Sequence, residues 1–157
     1  MALQIGDKAP AFELPDQNGK VHKLSDYTGR VVLLYFYPKD DTPGCTKEAC
    51  GIRDQWADFK KTGVIVLGVS TDTAKSHKKF AEKYDLPFPL LSDESKELVK
   101  AYGVWGPKKF MGREFLGTKR WSFLIGPDGM IVKIYENVKP AEHTAEVLAD
   151  VAAYDPD

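Results

Sequence analysis

The sequence is short of sulfur, of net charge and of long apolar runs, and each shortage removes a class of protein. Cysteine occurs twice in 157 residues, too few for the disulfide framework of a small secreted domain. Acidic and basic residues nearly cancel, 23 against 22, for a formal net charge of -1. That balance leaves no basic stripe for nucleic acid and no cationic face for an anionic membrane. The short basic runs at 77–79 and 108–109 read as solvated faces. The longest apolar run, VVLLYFY at 31–37, falls far short of the roughly 20 residues that span a bilayer as a helix. Residues 1–12 show no basic start followed by an apolar stretch. No secretory signal is therefore expected, and a cytoplasmic location is. Thiols are kept reduced there, which points a lone cysteine pair towards catalysis or redox chemistry rather than a permanent bridge.

What remains is an ordinary globular composition, 43% hydrophobic and 29% charged, long enough to bury a core in one domain spanning 1–157. Asn18-Gly19 is a hairpin signal. VVLLYFYP (31–38) and VIVLGVS (64–70) are continuous apolar runs, as in strands buried on both faces. Between them the sequence predicts a helix, with Thr42 at the N-cap, Pro43 in the first turn and an inward stripe of Ala49, Ile52, Trp56 and Phe59. Further helices are expected at 73–84, with His77 on the inward side as a satisfied core histidine, at 95–103 and at 140–154. A hairpin is expected at 121–135 around a Gly-Pro-Asp-Gly turn. Alternating strands and helices followed by a hairpin imply an α/β fold with a mixed sheet flanked by helices.

Both cysteines lie in TPGCTKEAC, residues 42–50. Cys45 falls in the first helical turn, where unpaired amides and the positive end of the dipole stabilise a thiolate. The stripe places it facing the sheet, and Cys50 on another face. In an intact helix residues five apart are roughly 8.6 Å from Cα to Cα, while a disulfide needs about 4.4–6.8 Å. A bridge between them requires the helix start to unwind, which suits a transient intermediate better than a staple. A zinc site is poorly served by two cysteines and three scattered histidines, His22, His77 and His143. A buried small hydrophobe at 45 with an incidental thiol at 50 stays open. Ionisation alone explains little reactivity. Lowering a thiol pKa from about 8.5 to about 6 raises the thiolate fraction about 30-fold but costs about tenfold in nucleophilicity. An efficient nucleophile therefore needs a nearby cation and hydrogen-bond donors as well.

The stretch YFYPKDDTPGCTKEACGIRD (35–54) closely resembles the peroxiredoxins, thiol peroxidases of thioredoxin-like fold, and within them the Q-type, bacterioferritin comigratory subfamily. Pro38, Thr42 and Cys45 stand in the family motif, and Thr42-Pro43-Gly44-Cys45 fits the subfamily closely. GDKAPAFELPDQNG, VIVLGVSTD, LLSDE, YGVWGPKKFMG and KRWSFLIGPDG extend the likeness along nearly the whole chain. The resemblance implies a thioredoxin-like domain with an N-terminal β-hairpin, and peroxide reduction through a Cys45 sulfenic acid. It implies Cys50 as the resolving residue, an intramolecular disulfide, and recycling by thioredoxin or a similar dithiol. Arg120 would hold the thiolate, Thr42 and the amides near Gly44 and Cys45 would bind the peroxide oxygens, Pro43 would shield the site and Glu48 would orient the arginine. No metal, haem or flavin is implied, and a monomer is. Tyr37, Trp105 and Phe110 are candidates for an apolar collar. A general thiol–disulfide oxidoreductase would carry two residues between its cysteines rather than four. A redox sensor or holdase partner using the same disulfide is the rival from another class.

Overall fold

The computed structural model describes residues 3–154. β1 (Glu13–Pro15) and β2 (Val21–Lys23) pair antiparallel. Gly19 turns the chain between them at φ +82°, which only a residue without Cβ adopts freely. This is the expected N-terminal hairpin.

β3 (Val32–Phe36) follows and organises the molecule. Every residue in it is buried. Leu33 and Tyr35 enter one hydrophobic core, Val32, Leu34 and Phe36 the other. A continuous apolar run thus serves two cores through the two-residue period of a strand. After β3 come α1 (Pro43–Asp54) and α2 (Trp56–Thr62), then β4 (Ile65–Ser70), parallel to β3. The expected single helix through Phe59 is therefore two, broken at Gln55 with φ −104° and ψ 19°. In β4 the ring of Tyr35 crosses Gly68, where a Cβ would stand 2.9 Å from the tyrosine Cζ.

α3 (Ala74–Tyr84) is capped by the Thr73 hydroxyl, which accepts from the Ser76 amide. β5 (Leu90–Ser92) pairs parallel with β4. α4 is only Glu97–Ala101, shorter than expected, because Lys96 at φ +66° ends helical geometry before it. β6 (Trp105–Phe110) and β7 (Arg113–Thr118) form an antiparallel ribbon that the sequence did not announce. β8 (Ser122–Ile125) and β9 (Ile131–Tyr135) are the expected hairpin, and α5 (His143–Ala153) closes the described chain. The main sheet runs β5-β4-β3-β8-β9, with β8 antiparallel to β3. Residues of α1, α2, α3 and α5 cover one face, and α4 with the N-terminal segment covers the other. Among the described residues no helix is long and apolar enough to cross a membrane.

Candidate active site

The site lies where β3 hands the chain to α1. Pro43 occupies the first helical position, so Cys45 is the third residue of the helix, in the turn whose amides have no helical partner. Cys45 is 1% exposed and packs in the core with Leu33, Tyr35 and Tyr37. The inward orientation read from the stripe holds.

The cation comes from across the sheet. Arg120 stands two residues before the first residue of β8. Its carbonyl accepts from the Val138 amide at 2.8 Å, and the carbonyl of Trp121 accepts from the Phe36 amide at 2.8 Å. This backbone pairing fixes Arg120 beside the end of β3. Its Nη2 donates to Cys45 Sγ at 3.2 Å and its Nη1 to Glu48 Oε1 at 3.0 Å. One guanidinium fork spans two residues one helical turn apart, as its planar geometry permits. Burial works against the Arg120 charge, but Cys45 and Glu48 outweigh it and hold the group above the ordinary arginine range.

Gly44 makes room for that approach. A Cβ on it would sit 2.9 Å from Arg120 Nη2 and 3.6 Å from Pro140 Cγ. Any side chain there would push aside the nitrogen that reaches the thiol.

Glu48 is completely buried. Burial raises its carboxyl from 4.5 to about 7 despite the opposing pull of Arg120. Its Oε2 has no hydrogen-bond partner and faces His143 Nε2 at 4.0 Å. His143 is 1% exposed, sits 2.9 Å from Ser122 Oγ through Nε2, and stacks edge-on against Tyr135. Burial first, and the Arg120 charge second, push His143 down to about 4, so the ring is neutral at pH 7.

Thr42 is the N-cap residue, but its side chain does not cap the helix. Its hydroxyl donates to the Lys39 carbonyl at 2.8 Å, leaving the oxygen's lone pairs free to accept from a ligand. Pro43 stands exposed at the helix start. Cys50 points to a different face, half-buried, in a groove between α1 and α5 lined by Gly51, Pro140, Thr144 and Leu148. Burial raises its thiol above the ordinary value, with Arg53 opposing. Both cysteines are free thiols.

The structure therefore brings Cys45, Gly44, Glu48 and Arg120 into one cluster and sets Cys50 apart from it. Tyr37 and Trp105 do not form a collar. Tyr37 lies in the core with Cys45, while Trp105 packs against the opposite core. The side chain of Phe110 lies outside the described residues. Two groups escaped the sequence reading. His143 carried no local signal beside Glu48. Lys108 belonged to a run read as solvated, yet it is half-buried, donates to the Thr118 carbonyl at 2.9 Å, and is pulled below the usual lysine range by burial and by Arg120. Chemically, the cluster offers a buried sulfur beside a fixed cation, with donors for an anionic leaving atom.

Comparison with known proteins supports a reading in the same direction. The AhpC/TSA family matches residues 5–134. Peroxiredoxin Bcp of Escherichia coli strain K12 is 50% identical over 146 residues, 93% of this chain and 94% of that protein. Peroxiredoxin Bcp of Bacillus subtilis strain 168 is 47% identical over 148 residues, 94% of each chain. Among solved structures, a cysteine-to-serine mutant of Xylella fastidiosa PrxQ superposes with a TM-score of 0.91 at 37% identity, covering 98% of both chains. The Xanthomonas campestris bacterioferritin comigratory protein, solved in trapped intermediate and ligand complexes bearing on its alkyl peroxide reduction, gives 0.85 at 38% identity over 90% of both chains.

Proposed function

Because the chain belongs to the AhpC/TSA family, we propose that Cys45 is the residue at which it meets peroxide. The protein is a peroxiredoxin of the Bcp and Q type, a thiol peroxidase with the thioredoxin-like fold of that family. The observation that carries the assignment to Cys45 is the fork of Arg120, shared between a buried Sγ at 3.2 Å and a buried carboxylate at 3.0 Å.

In the proposed reaction the Cys45 thiolate attacks the terminal oxygen of a hydroperoxide. The O–O bond breaks, sulfur is oxidised by two electrons to the sulfenic acid, and the leaving oxygen takes a proton to become water or an alcohol. Arg120 stabilises both thiolate and leaving oxygen. The Thr42 oxygen accepts from the peroxide hydroxyl, the Gly44 and Cys45 amides donate to its oxygens, Pro43 limits water, and Glu48 sets the arginine. Cys50 then attacks the sulfenic sulfur and expels water, giving a Cys45–Cys50 disulfide. That step requires the start of α1 to unwind. A thioredoxin-type dithiol reduces the bridge, reaching it through the groove beside Cys50. The chain acts as a monomer in the cytoplasm without nucleic acid or membrane as partner.

The test is peroxide-dependent NADPH oxidation through thioredoxin reductase and thioredoxin, with hydrogen peroxide and an alkyl hydroperoxide as substrates. Sustained turnover is expected for the wild type, none for Cys45→Ser, and a single equivalent for Cys50→Ser. Full turnover by Cys45→Ser overturns the mechanism. Stoichiometric loss of two thiols without turnover replaces it with a redox switch. Sedimentation at the mass of one chain checks the monomer.

A further inference from the structure

Residues 37–42, which deliver Cys45, are tied to α3 by two adjacent aspartates of different character. Asp41 is exposed and receives Lys83 Nζ and the Tyr84 hydroxyl, each at 2.8 Å. Asp40 is buried. Its Oδ1 accepts from the Tyr37 hydroxyl at 2.6 Å. Its Oδ2 accepts from the Ser76 hydroxyl at 2.8 Å and from His77 Nδ1 at 2.7 Å. Its backbone amide donates to Asp72 Oδ2 at 2.9 Å, and the Ser70 hydroxyl donates to that same oxygen at 2.7 Å. His77 is fully buried, and its Nε2 lies 2.9 Å from the Leu91 carbonyl oxygen in β5. One imidazole thereby links the segment before Cys45 to the far strand of the sheet.

The ligand atoms of Asp40, Asp72 and His77 lie within 4.8 Å of one another, a spacing that would suit a cation. Each of these atoms is already taken by a protein hydrogen bond, so the cluster serves the fold itself. What it serves is visible next to it. Asp41 sits at φ +55°, a left-handed conformation that residues with a Cβ seldom adopt and that its bonded neighbours hold in place here. Its enforcers are the buried clamp on Asp40 and the bonds Asp41 makes to α3. Thr42 and Pro43 follow directly.

We infer that Asp40 and His77 are positioning residues for the reaction at Cys45. The inference rests on Cys45 being the peroxide-reacting thiol. The clamp fixes the upstream end of α1, and with it the Thr42 oxygen and the first-turn amides. Displacements of about 1 Å at such groups are enough to cost up to a hundredfold in rate. The same clamp resists the unwinding that lets Cys45 reach Cys50. Loosening it therefore slows the first chemical step without slowing the second.

The experiment is stopped-flow tryptophan fluorescence with stoichiometric hydrogen peroxide, resolving the oxidation phase from the disulfide phase, on wild type, His77→Asn and His77→Gln. An asparagine amide stands near the Nδ1 position and can still donate to Asp40; a glutamine amide reaches the Nε2 position and Leu91 instead. The oxidation phase is expected within about threefold of wild type for His77→Asn. For His77→Gln it is expected to slow about tenfold or more, with the disulfide phase unchanged or faster. Ser76→Ala removes one donor to the same Oδ2 with little change in packing, and is expected to slow oxidation two- to threefold at an unchanged circular dichroism spectrum. Equal oxidation rates for wild type and His77→Gln overturn the proposal. So does a slowing of both phases by one common factor, the mark of a merely smaller folded fraction. A wild type that shows no Cys45-dependent oxidation phase refutes the parent assignment instead.

Discussion

Glu48 and His143 are buried 4.0 Å apart, with their protonation equilibria pushed in opposite directions. Glu48 rises from 4.5 to about 7, and His143 falls from 6.5 to about 4. Between pH about 4.5 and 6.5 the folded protein carries one proton on Glu48, and the unfolded chain carries one on the histidine. The counts match, so the pair together contributes no slope of stability against pH in that window. Each group alone contributes one. In His143→Gln only Glu48 remains. The folded state then binds the extra proton, and stability falls by about 1.4 kcal/mol per pH unit as pH rises through that window. In Glu48→Gln only His143 remains. The unfolded state binds the extra proton, and stability rises with pH at a similar slope, about 1.4 kcal/mol per unit, to be lost again on acidification towards pH 4. Urea unfolding at pH 5, 5.5, 6 and 6.5 reads both slopes, and slopes of the same sign in the two variants contradict the pairing. None of this was legible in the sequence. Cys45 was, through its place behind Thr42-Pro43-Gly44. Arg120, which the family resemblance named, stands 75 positions from Cys45 and 72 from Glu48 along the chain, and it is the antiparallel return of β8 against β3 that brings it back to them.

At the scale of elements the reaction asks α1 to be both a rigid platform and a spring, and the contact between α1 and α5 sets its stiffness. Gly51 sits against Thr144, where a Cβ would lie 2.9 Å from Oγ1, and that hydroxyl is buried without a partner. Glycine inside a helix costs about 1 kcal/mol relative to alanine, so α1 is softened next to Cys50. Gly51→Ala alone is expected to destabilise, because the methyl meets the threonine. Gly51→Ala with Thr144→Ala removes the clash and the orphaned hydroxyl together, and is expected to stabilise by about 1 kcal/mol. Unwinding that carries Cys50 towards Cys45 also frees the next residue, Gly51, from α5, so the added stability slows the disulfide phase about fivefold and leaves the oxidation phase unchanged. Stopped-flow on the double variant measures both phases, and a disulfide phase as fast as wild type shows that unwinding does not limit it. The elements that sequence reading found are those with one-sided or two-sided burial, β3, β4, α1, α3, the late hairpin and α5. The β6–β7 ribbon escaped because it lacks such a period. Phe115 and Leu116 are adjacent and both exposed, Pro107 sits in the partner strand, and the turn is Met111-Gly112 at φ +51° and +78° instead of the usual Asn-Gly.

Over the whole molecule, the two hydrophobic cores share one wall. Leu33 faces the core of α1, α2, α3 and α5, while Leu34 faces the core of α4 and the N-terminal segment, and both are completely buried. β3 lies at the middle of the five-stranded sheet, bonded to β4 on one side and β8 on the other. Neither core can keep its wall once β3 is lost, so the described chain should unfold as a single cooperative unit, which is also how one domain behaves. The tryptophans report on both faces. Trp56 packs against the first core, Trp105 and Trp121 against the second. Urea unfolding followed by tryptophan fluorescence and by helical circular dichroism is expected to give superimposable transitions. Leu33→Ala and Leu34→Ala should each cost about 2–5 kcal/mol and move both signals together, although the two side chains point into different cores. If Leu34→Ala moved the tryptophan signal and left the helical signal in place, the two faces would be separate units. The strand that places Cys45 would then be held from one side only. Superimposable transitions mean instead that the order around Cys45 draws on the burial of both faces at once, and that the unwinding of α1 is a local event on a sheet that stays intact.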